Sequence, residues 1–445
     1  MQDRIAKLRR YLDKNDKTAL RSFIRKLHPA DLARSFKYLE SEEKLSILTL
    51  LGFEDAGSLL YELDPGEREE ILFLIQPELL SDIVEAIPSD EAADILSEVS
   101  EEKAGKALEL MEEEEAEDVE ELMKYPPETA GGIMTPDIFS LREETTVDEA
   151  ILAVREAKDV EMLSYLYVVD ESDRLAGVVS LKELIMAGGD CRLREIMNKD
   201  VVTADPDLDQ EEVAGLVHKY DLRALPIVDR DRRLVGRVTV DDVIDVIEEE
   251  ATEDIYKMVG TDDGELSRKS IINVVRLRLP WLLISLVGGI ILATIMRSFD
   301  VTIERAIALA FFIPVIMGMG GNVGMQSSTI VVRGIATGRV ELGHIWSVLS
   351  REILTGFLMG LICGLVVGVV ANILQGEIIL GVVVASSMFI AITVAATVGA
   401  LMPLVLESLK IDPAIASGPF VTTANDITGL LIYLFLATSF IKHFG

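Results

Sequence analysis

Residues 311–334 read FFIPVIMGMGGNVGMQSSTIVVRG, and residues 412–435 read DPAIASGPFVTTANDITGLLIYLF. Both are long and apolar enough for a bilayer, yet both carry groups that hydrocarbon does not tolerate. The first sets Asn322, Gln326, Ser327, Ser328 and Thr329 at membrane depth, among Pro314, Gly318, Gly320, Gly321 and Gly324. Pro314 and these glycines are expected to weaken or bend its helix. Irregular, polar backbone is tolerated there only where it is buried in protein or lines a wet cavity. Interhelical hydrogen bonding is the plainer alternative. The second segment places Asp426 close to the middle of its span, with no Lys or Arg in the middle of any crossing to pair with it. A carboxylate there must be solvated, paired or protonated, so Asp426 reads as functional unless it is a protonated structural residue. Gly418, Pro419, Thr422, Thr423 and Asn425 surround it with helix breakers and oxygen atoms, a setting that suits a hard cation.

Working outward, five stretches are nearly free of charge and predict five crossings, at 280–297, 306–332, 353–376, 378–406 and 413–441. Five crossings put the termini on opposite sides. Arg268, Lys269, Arg276, Arg278, Arg333, Arg339, Arg351 and Lys410 then share one side, and Arg297, Arg305 and Lys442 the other. The basic excess marks the cytoplasmic side, with the N-terminus inside and the C-terminus outside. Gly356, Gly360, Gly364 and Gly368 make a smooth stripe on the third crossing, which reads as helix packing.

The 445 residues hold 49% apolar and 26% charged side chains, with a net charge of −33. Residues 280–445 are close to neutral at −1, so −32 belongs to residues 1–279. An acidic part is joined to a very apolar one. So much negative charge argues against nucleic acid as a partner. Cys191 and Cys363 cannot build a disulfide framework, and the four histidines are scattered. Residues 1–20 lack the apolar core of a signal peptide, so the acidic part is expected in the cytoplasm.

Residues 1–130 repeat with a period of 24: Pro29, Phe53 and Pro77 open successive units, and Ser41, Pro65 and Ser89 their second halves. A degenerate fourth copy runs from about 101 to 125. Each copy reads as two short amphipathic helices, and stacked pairs make a solenoid. A second repeat, offset by 59 residues, pairs YVVDESDRLAGVVSLKEL (167–184) with PIVDRDRRLVGRVTVDDV (226–243). Each reads as strand, turn, strand, helix, preceded by a helix (147–157 and 210–220). Ser180 with Glu183, and Thr239 with Asp242, form capping boxes that suffice to explain those residues. Residues 241–259 then form an acidic helix, broken at Gly260 and Gly264, that leads toward the first crossing. Its eight carboxylates between Asp241 and Asp254 have no Lys or Arg among them. They form either a solvated face or a surface whose repulsion divalent cations would relieve.

With these residues in view, the chain resembles the MgtE-type magnesium channels and transporters over nearly its full length. The motif of Pro314, Gly321, Asn322, Gly324 and Gln326, and the segment SGPFVTTANDITGLLIY, carry the resemblance most specifically. It implies a multidomain membrane protein: an all-α superhelical N domain (1–130), α/β tandem CBS domains (131–196 and 197–247), a connecting or plug helix (248–279), and a five-helix α transmembrane pore domain (280–445). It implies a homodimer in the cell inner or plasma membrane, with the pore on its two-fold axis. Asp426 would hold hydrated Mg2+ through water, with Asn322, Thr422, Gly321 and Gln326 lining the path. Asp90, Asp94, Asp209, Glu211, Asp221, Asp242, Asp245, Glu250, Glu253, Asp254 and Asp412 would bind regulatory Mg2+, which closes the pore. The position of Asp242 can also meet a nucleotide ribose, so ATP at the CBS pair stays open. A channel of broader selectivity, admitting Co2+ or Ni2+, stays open too, as does a non-transporting, membrane-anchored Mg2+ or nucleotide sensor. No P-loop, phosphorylation-site aspartate or nucleophile–base arrangement is present, so an enzyme is not expected.

Overall fold

Pro29, Pro65 and Pro77 each sit in the first turn of a helix, where a missing N–H costs nothing and a fixed φ helps. The structure is a computed structural model that describes residues 2–14, 16–156, 165–262, 271–305, 307–340, 343 and 345–444. The prolines mark α3 (Pro29–Phe36), α6 (Pro65–Leu74) and α7 (Pro77–Val84) in a series of ten short helices among the described residues. The others are α1 (Gln2–Asp13), α2 (Lys17–Ile24), α4 (Ser41–Leu48), α5 (Phe53–Tyr61), α8 (Ser89–Ser97), α9 (Glu101–Leu108) and α10 (Glu113–Leu122). Helices begin at 29, 53, 77 and 101, and at 17, 41, 65, 89 and 113, so the period of 24 holds through the fourth copy and reaches back to α2. Helix α3 packs on α5, α5 on α7 and α7 on α9, while α4 packs on α6 and α8 on α10. The equivalent residues Phe36, Leu60 and Val84 are buried. No single pair of helices could bury its apolar side alone, and stacking makes one continuous core.

The second repeat follows with β1 (Ser140–Arg142), α11 (Val147–Glu156), β2 (Tyr165–Val169), β3 (Leu175–Ser180), α12 (Leu181–Met186), α13 (Leu193–Ile196), α14 (Gln210–Tyr220), β4 (Ala224–Val228), β5 (Leu234–Thr239) and α15 (Val240–Val259). Strands β2 and β3 pair antiparallel with Tyr165 opposite Ser180, and β4 and β5 with Ala224 opposite Thr239. The two registers differ by the same 59 residues. Strand β1 adds in parallel to β2, an element the repeat reading lacks. Ser180 and Glu183 complete their capping box, and the Thr239 N–H donates to Asp242 at 3.1 Å. The two copies meet through Tyr167, Leu175 and Val228. The solenoid joins the second copy through backbone bonds from Ala130 to Leu208 and from Gly131 to Pro206.

Internal contacts divide the chain into two units, residues 1–249 and 250–445. The division falls inside α15, as does the 247/248 boundary expected between CBS domain and plug helix. Helix α15 is one element of 20 residues. Gly260, at φ +74°, ends it in the left-handed region that favours glycine. Gly264, Arg268 and Lys269 lie outside the described residues.

The second unit contains α16 (Ile271–Ser298), α17 (Asp300–Arg305), a 3-10 segment (Ile307–Phe312), α18 (Ile313–Ala336), α19 (Ile345–Gln375), α20 (Ile378–Ser408), α21 (Ala414–Ser417) and α22 (Pro419–Phe444). Five of its helical spans are long and apolar enough to cross a membrane. They outrun several of the charge-free stretches, because a helix continues through the charged residues at its ends. Thus α16 includes Arg276 and Arg278, and α19 includes Arg351 and Glu352.

Two expectations are corrected. The second crossing, expected to be weakened or bent at Pro314 and its glycines, is not interrupted at them. Helix α18 runs unbroken for 24 residues, with Pro314 in its first turn, and the irregular backbone lies before it, in the 3-10 segment. Pro314 is harmless there, and a neighbouring helix packs against Gly321 and Gly324, while Gly318 stays exposed. The fifth crossing starts at Pro419 rather than 413, because the chain breaks at Gly418 after the single turn of α21. The glycine stripe of α19 faces α20. A methyl group at Gly360 would come within 2.7 Å of the Phe389 carbonyl oxygen, and one at Gly364 within 2.6 Å of that of Ala385. Close approach of backbones is what small residues permit.

Candidate functional site

Helices α18 and α22 pack against each other over Gly321 and Gly324. A methyl group at Gly321 would lie 3.4 Å from Thr422 Cγ2 and 3.7 Å from Asp426 Oδ1. Asp426 and Thr422 therefore sit beside Gly321, on neighbouring turns of α22. Thr422 donates its hydroxyl to the Gly418 carbonyl at 3.2 Å. Asp426 is half-buried, and no ion pair involves it among the described residues. Around α18, Gly318, Asn322, Gln326 and Thr329 are exposed along one side, recurring at intervals of three or four residues. An amide stripe of this kind cannot face hydrocarbon at low cost.

Asn425 takes a different position from Asp426. It is buried, and a methyl group at Gly324 would collide with its side-chain nitrogen. Neither amide atom has a hydrogen-bond partner among the described residues. On the far side of Gly324, a methyl group at Gly399 of α20 would lie 2.3 Å from the Gly324 carbonyl oxygen. Gly324 is thus pressed between α20 and α22. One further carboxylate escaped the sequence reading: Glu352 is buried in α19 and accepts a 2.8 Å hydrogen bond from Ser327 of α18. It stands one residue outside the charge-free stretch used to define the third crossing.

In the first unit, α8 brings Asp90 and Asp94 toward the start of α15. Burial pushes Asp94 up to about 7, with Asp90 adding to it and Arg68 opposing. Its side chain keeps solvent on one side, so these effects are screened. Burial also raises Asp242, to about 6; hydrogen bonds from Thr239 oppose the rise, and Asp90 and Asp241 reinforce it. Tyr61 of α5 is raised by burial and by Asp94, Asp242, Glu91 and Asp245. Asp90, Asp94, Asp242 and Asp245 therefore share one electrostatic neighbourhood. Among the described residues no three acidic, His or Cys side chains converge tightly enough to grip a bare ion. A loose acid cluster suits Mg2+, which sheds its waters reluctantly.

The other expected ligands separate. Asp209 caps the start of α14 and accepts from the Glu211 N–H at 2.8 Å. Asp221 caps the other end, in the left-handed region at φ 51°. Eleven residues of helix hold these ends roughly 16 Å apart, so within one chain they are not one site.

In the second unit, Glu253, Asp254 and Asp412 gather around a cation that the sequence reading passed over. Lys257 pairs with Glu253 at 2.6 Å and with Asp412 at 2.8 Å. Burial works against its charge, but these two partners outweigh it and hold the ammonium above its ordinary range. Burial and Asp412 push Asp254 up to about 6, with Lys257 and Arg333 opposing. The Glu253–Lys257 spacing of four was a readable signal. The end of α15 meets the membrane helices here: a methyl group at Gly418 would lie 2.5 Å from the Met258 carbonyl oxygen. Glu250 is half-buried on the same helix.

Comparisons with known proteins agree with this organisation. The family model of the MgtE divalent cation transporter matches residues 313–436, the MgtE intracellular N domain 27–128, and the CBS domain 130–190 and 193–249. The chain is 40% identical to the magnesium transporter MgtE of Thermus thermophilus, over 98% of each chain. It is 39% identical to the magnesium transporter MgtE of Bacillus subtilis, over 72% of this chain and 71% of that one. Among solved structures, the cytosolic domain of the Mg2+ channel MgtE in complex with ATP matches with TM-score 0.52 and 41% identity, over 54% of this chain and 99% of that one. The soluble part of a magnesium transporter matches with TM-score 0.51 and 31% identity, over 56% and 99%.

Proposed function

Because the chain belongs to the MgtE family, we propose that it is a Mg2+ channel of the cell membrane, closed from inside by the ion it carries. The observation that supports this most is Asp426 beside Gly321, at membrane depth and in no ion pair among the described residues, on a unit whose α18 exposes Asn322 and Gln326. Two copies placed with these faces together would enclose the amides and offer two carboxylates to one ion. Asp426 would hold Mg2+ through its water shell, and Thr422 and Gln326 would line the path. No ATPase motif is present, so the driving force is the ion gradient and the membrane potential, worth about 2.3 kcal/mol per charge per 100 mV. The N-terminus lies in the cytoplasm and the C-terminus outside.

Closure follows from the acid clusters. With ions bound, Asp90, Asp94, Asp242 and Asp245 are drawn together, and Glu250, Glu253, Asp254 and Asp412 hold the end of α15 against the membrane helices. Without ions the carboxylates repel, and the equilibrium moves to an open arrangement. Asp209, Glu211 and Asp221 would each contribute at separate positions. ATP at the CBS pair is a second, modulatory reading, supported by the ATP complex of the similar cytosolic domain. Equilibrium dialysis of the full chain with ATP tests it, and no retention would remove it.

The test of transport is Mg2+ influx into dye-loaded proteoliposomes, with wild type and Asp426→Ala compared and Co2+ or Ni2+ added as competitors. Influx lost in the variant supports the reading. No influx by either folded protein at low internal Mg2+ would turn it toward the membrane-anchored sensor.

A further inference from the structure

In a chain of net charge −33, residues 1–38 carry eleven basic and four acidic residues. Lys17, Arg21 and Arg25 recur every fourth residue on and just after α2, with Lys26 beside them. They line a shallow groove of about 530 Å³, together with Thr18 and Ser22. All four cations are exposed, and none is in an ion pair among the described residues. Like charges four residues apart weaken their own helix, so this ladder is not there for the stability of α2.

The other end of the solenoid is its electrostatic complement. Residues 109–121 hold nine carboxylates and no Lys or Arg. Helix α10 carries Glu113, Glu117 and Glu121, also every fourth residue, all exposed and outside any ion pair among the described residues. Both ladders span about 12 Å, at 1.5 Å per residue. They cannot meet within one chain, because α2 and α10 lie at opposite ends of the helix stack.

We propose that the Lys17–Arg21–Arg25 face of one chain docks on the Glu113–Glu117–Glu121 face of a second copy. Each copy carries both halves, so a two-fold pair closes both contacts at once. The matched pitch favours a second copy over a lipid surface or a free phosphate, which would need no counterpart ladder. This contact does not depend on the magnesium reading, and the residues of both faces belong to the first unit.

The test uses full-length protein in nanodiscs with Cys191 and Cys363 replaced by Ser. One tagged population carries Arg21→Cys and a differently tagged one Glu117→Cys. These positions are central in either helix direction. Oxidation is expected to give mixed-tag disulfide dimers, reduced about tenfold by Lys17→Glu with Arg25→Glu, or by about 0.5 M NaCl, where screening is nearly complete. Adding Glu113→Lys with Glu121→Lys to the other population is expected to restore them. The proposal is overturned by folded variants that do not cross-link, or by cross-links indifferent to charge reversal and salt. It is also overturned if the groove charges govern only binding to phosphatidylglycerol vesicles.

Discussion

Asp242→Asn separates the sensor reading from simple helix capping. The Thr239 N–H and hydroxyl both donate to Asp242 Oδ2, at 3.1 and 2.6 Å, and an asparagine oxygen can still accept. What the substitution removes is a carboxylate charge beside Asp90 and Asp241. Holding that carboxyl near 6 instead of 3.8 disfavours its charged form by about 3 kcal/mol, at 1.4 kcal/mol per pH unit. The side chain keeps some solvent, so about 1–2 kcal/mol is the working figure. The sign is that of a raised carboxyl: its favourable contribution is complete below about 3.8 and is lost as pH rises through about 6. In EDTA at pH 8, the variant should therefore be the more stable protein, by about 2–8 °C in the melting of its cytoplasmic helices. At pH 5 the advantage should fall by about half, and below pH 4 it should vanish. With Mg2+ present the order should narrow or invert, because the wild type keeps a ligand that the variant lacks. Circular-dichroism melts of the full chain in detergent provide the assay. A variant less stable than wild type in EDTA at pH 8, with an unchanged pH profile, would reduce Asp242 to a cap and refute the reasoning.

Three other outcomes follow from named contacts. Gly324→Ala drives a methyl group into Asn425 and should cost about 1–3 kcal/mol or more; thermal unfolding in detergent measures it, and a neutral result would mean α22 can withdraw freely. Lys257→Met leaves Glu253, Asp254 and Asp412 without their shared cation. Mg2+ influx into proteoliposomes at zero internal Mg2+ should rise several-fold, in keeping with about 1–2 kcal/mol for a half-buried pair, and unchanged influx would remove Lys257 from the closing of the pore. Glu352→Gln keeps an acceptor for Ser327 and should melt within about 1 kcal/mol of wild type, whereas Glu352→Leu should lose about 1–3 kcal/mol; equal melting of the two would show that the bond holds nothing.

Much of the architecture was legible because its signals are local. The 24-residue period appears as helix starts at 29, 53, 77 and 101, and the 59-residue offset reappears as strand register. Polar residues were harder to place, because their partners are distant in sequence. Glu352 belongs to α19 by continuation of the helix, and its partner Ser327 is 25 residues away. Asn425 looked like a second oxygen beside Asp426, but one step around a helix turns it into the Gly324 notch. Asp209 and Asp221 resemble one acidic group in sequence, and α14 holds them at its two ends. The reverse happened at Asp412, which is 155 residues from Lys257 and touches it.

The most direct test of the account is electrical. Inside-out patches with Mg2+ as the only permeant cation should show current in wild type and none in Asp426→Ala. The wild-type current should fall as bath Mg2+ rises from micromolar levels to about 10 mM, the range of weak, mostly hydrated sites. Current that survives Asp426→Ala, or that ignores cytoplasmic Mg2+, would contradict it.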